Sequence, residues 1–172
     1  MTAPDWPYAV ERLARHHHRE AFSCGKAELD RYFRELVGQD ERKRVAVAYV
    51  AVVRGSATVA GFYTLAARSI PCPDLPAEIT RRLPRYDTIP ATLIGRLAVD
   101  ENHRGRGLGD FLLADAVTRS LAESGRIASW AVVVDAKDDA ASAFYRAFGF
   151  IPFPDQPRRL FLPMETVAKL PR

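Results

Sequence analysis

The chain has too few cysteines for a disulfide scaffold and no apolar run long enough to cross a membrane. Its 172 residues include two cysteines, Cys24 and Cys72, far apart and without metal-type spacing. They read as two reduced thiols rather than one disulfide. The longest apolar run, residues 45–53, falls well short of the roughly 20 residues that span a bilayer. The opening residues, Met1-Thr-Ala-Pro-Asp-Trp6, lack the basic-then-apolar layout of a signal peptide. Internal repeats, low-complexity tracts and linkers are also missing. The expectation is therefore one cytoplasmic domain over residues 1–172, with no membrane segment. Apolar residues at 48% and charged residues at 27% suit an ordinary globular protein.

The formal charge of +4 is modest, but basic residues cluster. Arg12, Arg15 and Arg19 form one group, and Arg42, Lys43 and Arg44 another. Arg81, Arg82 and Arg85 form a third, with Arg158 and Arg159 near the end. Clusters that meet on one face attract a polyanion such as nucleic acid; scattered ones are solvated charge. His16, His17 and His18 are consecutive, so they cannot all face one metal from a helix. They read as a solvated segment, and no metal site is expected.

Periodicity gives an α/β order. Leu29, Tyr32, Phe33 and Leu36 have helical spacing over residues 26–37. Residues 45–53 and 59–70 read as an antiparallel strand pair around Arg54-Gly55-Ser56. A short helix is expected over 75–83 and a strand over 92–100, with Pro71, Pro73, Pro76, Pro84 and Pro90 marking element boundaries. Leu108, Phe111, Leu112 and Leu121 set a helix running to about Glu123, with Gly125 just past its end. A strand over 129–134, a helix over 138–148 closed by Gly149, and at least one strand centred on Leu160-Phe-Leu162 complete a mixed sheet.

Between the strand 92–100 and the helix that follows lies Asn102-His-Arg-Gly-Arg-Gly-Leu-Gly109. A helix start presents unpartnered N–H groups and the positive end of a dipole, which together hold an anion. Gly105, Gly107 and Gly109 let a phosphate approach the backbone, and Arg104 and Arg106 add charge. No P-loop string occurs, and the glycine spacing is wrong for a dinucleotide fingerprint. The run does fit Arg-x-x-Gly-x-Gly, here Arg104, Gly107 and Gly109.

Downstream stands Asp138-Asp-Ala-Ala-Ser-Ala-Phe-Tyr-Arg-Ala-Phe-Gly-Phe150. With the glycine turn, this second motif makes the chain resemble the GNAT acetyltransferases: an α/β fold with a mixed, mostly antiparallel central sheet flanked by helices. The resemblance implies acetyl-CoA as co-substrate. Its pyrophosphate would lie on Arg104, Gly105, Arg106, Gly107, Leu108 and Gly109, and its pantetheine arm along the main chain of Leu97, Ala98 and Val99. Ala141 and Phe144 fall in register with the second motif. Asp138 stands where the family often has Asn. Tyr145 takes the position of the tyrosine that protonates the departing thiolate. By spacing alone Tyr145 reads as a core residue, one of an amphipathic set with Ala141, Phe144 and Phe148. A phenol with a pKa near 10 is protonated at neutral pH.

Arg96 faces either the acceptor or a solvent carboxylate. Glu28, Asp30, Glu35, Asp100 and Glu101 give no clear general base. Three stretches narrow the acceptor: Phe22-Ser-Cys-Gly-Lys-Ala-Glu-Leu-Asp-Arg-Tyr-Phe33, Val59-Ala-Gly-Phe-Tyr-Thr-Leu65 and Ile94-Gly-Arg-Leu-Ala-Val-Asp100. They resemble a GNAT subgroup of toxins from type II toxin–antitoxin pairs. That resemblance implies acetylation of the α-amine of aminoacyl-tRNA, a homodimer, and a DNA-binding antitoxin as partner. The alternatives are an acetyltransferase for a small amine or a protein N-terminus, and a non-catalytic acyl-CoA-binding module.

Overall fold

A computed structural model describes residues 6–171. Its strands are β1 (Tyr8–Arg12), β2 (Val47–Val53), β3 (Val59–Pro71), β4 (Thr88–Val99), β5 (Ala131–Asp135), β6 (Ile151–Phe153) and β7 (Gln156–Pro163). Its helices are α1 (Ala27–Arg31), α2 (Val37–Arg42), α3 (Ala77–Thr80), α4 (Leu108–Glu123), α5 (Asp139–Phe148) and α6 (Met164–Ala168). The sheet order is β1-β2-β3-β4-β5-β7-β6. β4 and β5 run parallel, while the pairs β1–β2, β2–β3, β5–β7 and β6–β7 are antiparallel. This is the expected mixed, mostly antiparallel sheet with helices. Among the described residues no helix is long and apolar enough to cross a membrane. The chain divides into two compact units, the first holding residues 6–66 and 95–116 and the second 67–94 and 117–171.

In the first unit, β2 and β3 form the expected hairpin, with a bulge between Ala51 and Val52. β1 pairs with β2 and was not foreseen, because two of its five residues are charged and no alternation marks it. The expected helix over 26–37 continues to Arg42 and contains a π-helical turn, Tyr32–Leu36, between α1 and α2. That wider turn shifts the apolar stripe by one residue. Leu36, expected on the core face, is 36% exposed, and Val37 takes its place at 0%. Phe22, Tyr32, Phe33, Val37, Val50, Phe62 and Ala98 share one buried cluster, with Phe33 stacked on Phe62 at 4.3 Å between ring centres.

In the second unit, β5 is buried along Ala131-Val-Val-Val134, the continuous apolar run of a strand covered on both faces. Phe161 of β7 packs against Phe153 and Trp130. The last segment holds two strands, β6 and β7, where at least one was expected. Of the expected helix over 75–83 only α3 forms, preceded by a 3₁₀ turn, Cys72–Asp74. Pro90, read as a boundary, lies inside β4. It precedes Ala91, the first residue in register with β5, so its missing N–H costs no bond of that ladder. Asp138 caps α5 by accepting the Ala141 amide at 2.8 Å, and Gly149 closes the helix as expected.

Candidate active site

In the first unit β4 leads into the glycine turn. The Asp100 carboxylate accepts the Asn102 amide at 2.9 Å and opens a 3₁₀ turn, Glu101–His103. Gly105 and Gly107 follow with φ of +76° and +80°. A Cβ at either would meet nothing within 4 Å, so the space over this backbone is open to a ligand. The Gly107 carbonyl accepts the Phe111 amide at 3.1 Å. The amides of Leu108, Gly109 and Asp110 therefore form the first turn of α4, where N–H groups lack intrahelical acceptors.

The two arginines of the turn are anchored on protein atoms. Arg104 donates to the Cys24 carbonyl. Arg106 donates to the Tyr8 hydroxyl at 3.3 Å, and that hydroxyl lies 2.8 Å from His103 Nδ1. Gly25 sits at φ +85°, which favours glycine, and the ends of the Arg104 and Glu101 side chains close over it, each 2.9 Å from where a Cβ would stand. The loop 22–25 is thus a brace for the turn, a role its sequence did not disclose.

That brace also accounts for most of the carboxylates considered as bases. Asp100 and Asp30 are buried and accept the Ser23 and Cys24 amides at 3.0 and 2.7 Å. Glu35 pairs with Arg31, and Glu101 accepts from the Ser23 hydroxyl. Cys24 and Cys72 are both free, buried thiols, and burial pushes the Cys24 thiol up from its ordinary value.

In the second unit Asp138, Ala141, Phe144 and Tyr145 stand on or at the start of α5. Tyr145 is 8% exposed, with Phe144 and Phe150 edge-on at 5.2 and 5.6 Å. No partner for its hydroxyl occurs among the described residues. Burial pushes its pKa up to about 12, so the phenol keeps its proton across the physiological range. The ring is seated in the core, and its hydroxyl is protonated.

Arg96 faces a ring and not a carboxylate. Its guanidinium carbon lies 3.7 Å from the centre of Tyr32, within cation–π range. Tyr32 donates to Asp40 at 2.7 Å, and burial pushes its phenol up. Among the basic clusters, Arg12 pairs with Glu41, Arg158 with Asp139 and Arg159 with Asp135. Arg19 and Arg42 converge instead, 3.5 and 3.3 Å from where a Cβ on Gly38 would stand. One arginine from each of two basic groups that are separate in sequence therefore meet on the first unit.

The histidine run is corrected in one member. His16 and His18 are exposed, but the His17 side chain is 0% exposed and its Nε2 lies 2.5 Å from Glu11. Glu11, His16 and His17 bring ligand-type atoms within 4.8 Å of one another. The Ala14 amide, however, donates to His17 Nδ1 at 2.9 Å, so Nε2 carries the proton and donates to Glu11.

The acetyltransferase (GNAT) domain family matches residues 37–152. The chain is 37% identical over 150 residues to a tRNA-acetylating toxin of Mycobacterium tuberculosis, covering 87% of this chain and 88% of that one. Among solved structures, AtaT complexed with acetyl-methionyl-tRNAfMet is 26% identical with a TM-score of 0.87, covering 94% of this chain and 97% of that one. AtaTR bound with acetyl-CoA is 26% identical with a TM-score of 0.82, covering 94% and 96%.

Proposed function

The chain belongs to the GNAT acetyltransferase family, and from that premise we propose that it moves the acetyl group of acetyl-CoA to the α-amine of aminoacyl-tRNA, as a toxin that blocks translation. The observation that carries this reading is likeness to a tRNA-acetylating toxin over 87% of the chain. The open space over Gly105 and Gly107 at the start of α4 supports it.

In this reading the amides of residues 105–109 hold the pyrophosphate, with Arg104 and Arg106 alongside. The main chain of Leu97, Ala98 and Val99 aligns the pantetheine arm, and Asp138, Ala141 and Phe144 are the second motif's contacts with the acyl-CoA. The amine nitrogen attacks the thioester carbonyl, the new N–C bond forms and the C–S bond breaks. The surplus amine proton leaves to water, because the α-amine of an aminoacyl ester is weakly basic and no dedicated base is required. Tyr145 gives its proton to the departing sulfur and recovers one from water, which has taken the amine proton. A DNA-binding antitoxin, a homodimer and a cytoplasmic setting complete the reading.

The test is transfer of labelled acetyl from acetyl-CoA to total charged tRNA, with deacylated tRNA and Tyr145→Phe as controls. Label in charged tRNA alone, lost in the mutant, is the expected result. Acetyl-CoA binding with no labelled tRNA would reject this acceptor and leave small amines and protein N-termini.

A further inference from the structure

Arg96 is fixed at both ends. Its amide donates to the hydroxyl of the buried Thr64 at 3.1 Å, and its guanidinium lies 3.7 Å from the Tyr32 ring centre. Tyr32 is fixed in turn: its hydroxyl is held by Asp40, and its ring lies near-parallel to Phe62, at 17° and 6.5 Å. The π-helical turn Tyr32–Leu36 begins at this tyrosine, and such insertions cluster at functional sites. The result is a column, Phe62–Tyr32–Arg96, that rises from the core and ends in an exposed planar cation. Among the described residues no carboxylate pairs with Arg96. A surface arginine held only for stability gains most from an acidic partner; this one is pre-organised and left open.

Its place on β4 narrows what it would meet. Arg96 and Ala98 lie on the same face of the strand, two residues or roughly 7 Å apart. On the reading above, the pantetheine arm, which ends in the thioester, lies along residues 97–99. In a charged tRNA one ester and one ribose separate the α-amine from the terminal base, a span of the same order. Guanidinium planes are standard partners for unstacked RNA bases. Resting on the proposed acceptor, we propose that the open face of Arg96 is the platform on which the 3′-terminal base of the charged tRNA stacks.

The experiment compares wild type, Arg96→Ala and Arg96→Lys on charged tRNA and on the methyl ester of the same amino acid. The ester carries the α-amine but no nucleotide. Arg96→Ala is expected to raise KM for charged tRNA about ten-fold or more, with kcat, ester acetylation and acetyl-CoA binding unchanged. Arg96→Lys should recover little, because an ammonium has no plane to stack on. An unchanged KM, an equal loss on both substrates, or full recovery by lysine would each overturn the assignment. Wild type that acetylates the ester but not charged tRNA would remove the acceptor reading itself, a failure distinct from any of these.

Discussion

Asp100 accepts the Ser23 amide at 3.0 Å on one carboxylate oxygen and the Asn102 amide at 2.9 Å on the other. One buried side chain therefore ties the loop 22–25 to the residues that open the glycine turn. Asp100→Asn would turn an NH₂ toward one of those two amides, leaving two donors face to face. The expected cost is about 1–3 kcal/mol, read by urea denaturation, with weaker acetyl-CoA binding as the turn loosens. Stability within about 0.5 kcal/mol of wild type would mean that Asp100 is not the tie.

Gly61 of β3 lies under α4. A Cβ there would stand 2.7 Å from Leu112 Cδ1 and 3.0 Å from the Ala98 carbonyl. Backbone on one side leaves little room to yield, so Gly61→Ala should cost about 1–3 kcal/mol by overpacking. Gly125 has open space around its Cβ position, which makes Gly125→Ala the control. Equal stability of the two variants would refute the packing argument.

The order of strands and helices was legible because most elements carry a clear period and end at glycine or proline. The glycine turn and α5 were legible as motifs for the same local reason. What escaped depends on contacts between distant residues. The π-helical turn exchanges Leu36 for Val37 on the core face, and no single-helix template anticipates that exchange. Asp30 and Asp100 stood among the possible bases until their amide partners, supplied by the loop 22–25, were visible. His17 was grouped with its exposed neighbours because burial of one member of a histidine run leaves no mark on composition.

Tyr145 should show itself in the alkaline limb of the rate profile. Its pKa is raised by burial from 10 to about 12, so an acid role for it persists through pH 10 and fades only near 12. A raised tyrosine also contributes stability that is complete below pH 10 and lost as pH rises through about 12. Tyr145→Phe should lower turnover ten-fold or more, about 1.4 kcal/mol in barrier, while acetyl-CoA still binds. A wild-type descending limb centred at pH 10, absent from the mutant, would contradict the burial argument; undiminished turnover would remove Tyr145 from the chemistry.

The pair Glu11 and His17 predicts an acid-side effect. The hydrogen bond from His17, the largest influence on Glu11, holds its carboxyl below the ordinary 4.5. A group whose folded pKa is depressed contributes stability that is complete above the unfolded value and lost as pH falls through the folded one. Glu11→Gln keeps an oxygen to accept the His17 proton but cannot titrate. The stability gap between wild type and Glu11→Gln should therefore be constant above about pH 4.5 and narrow as the pH falls further. Urea denaturation at a series of pH values measures that gap directly. A gap that stays constant through the acid range would show that the pair does not shift the carboxyl, and that His17 is held by packing and the Ala14 amide alone.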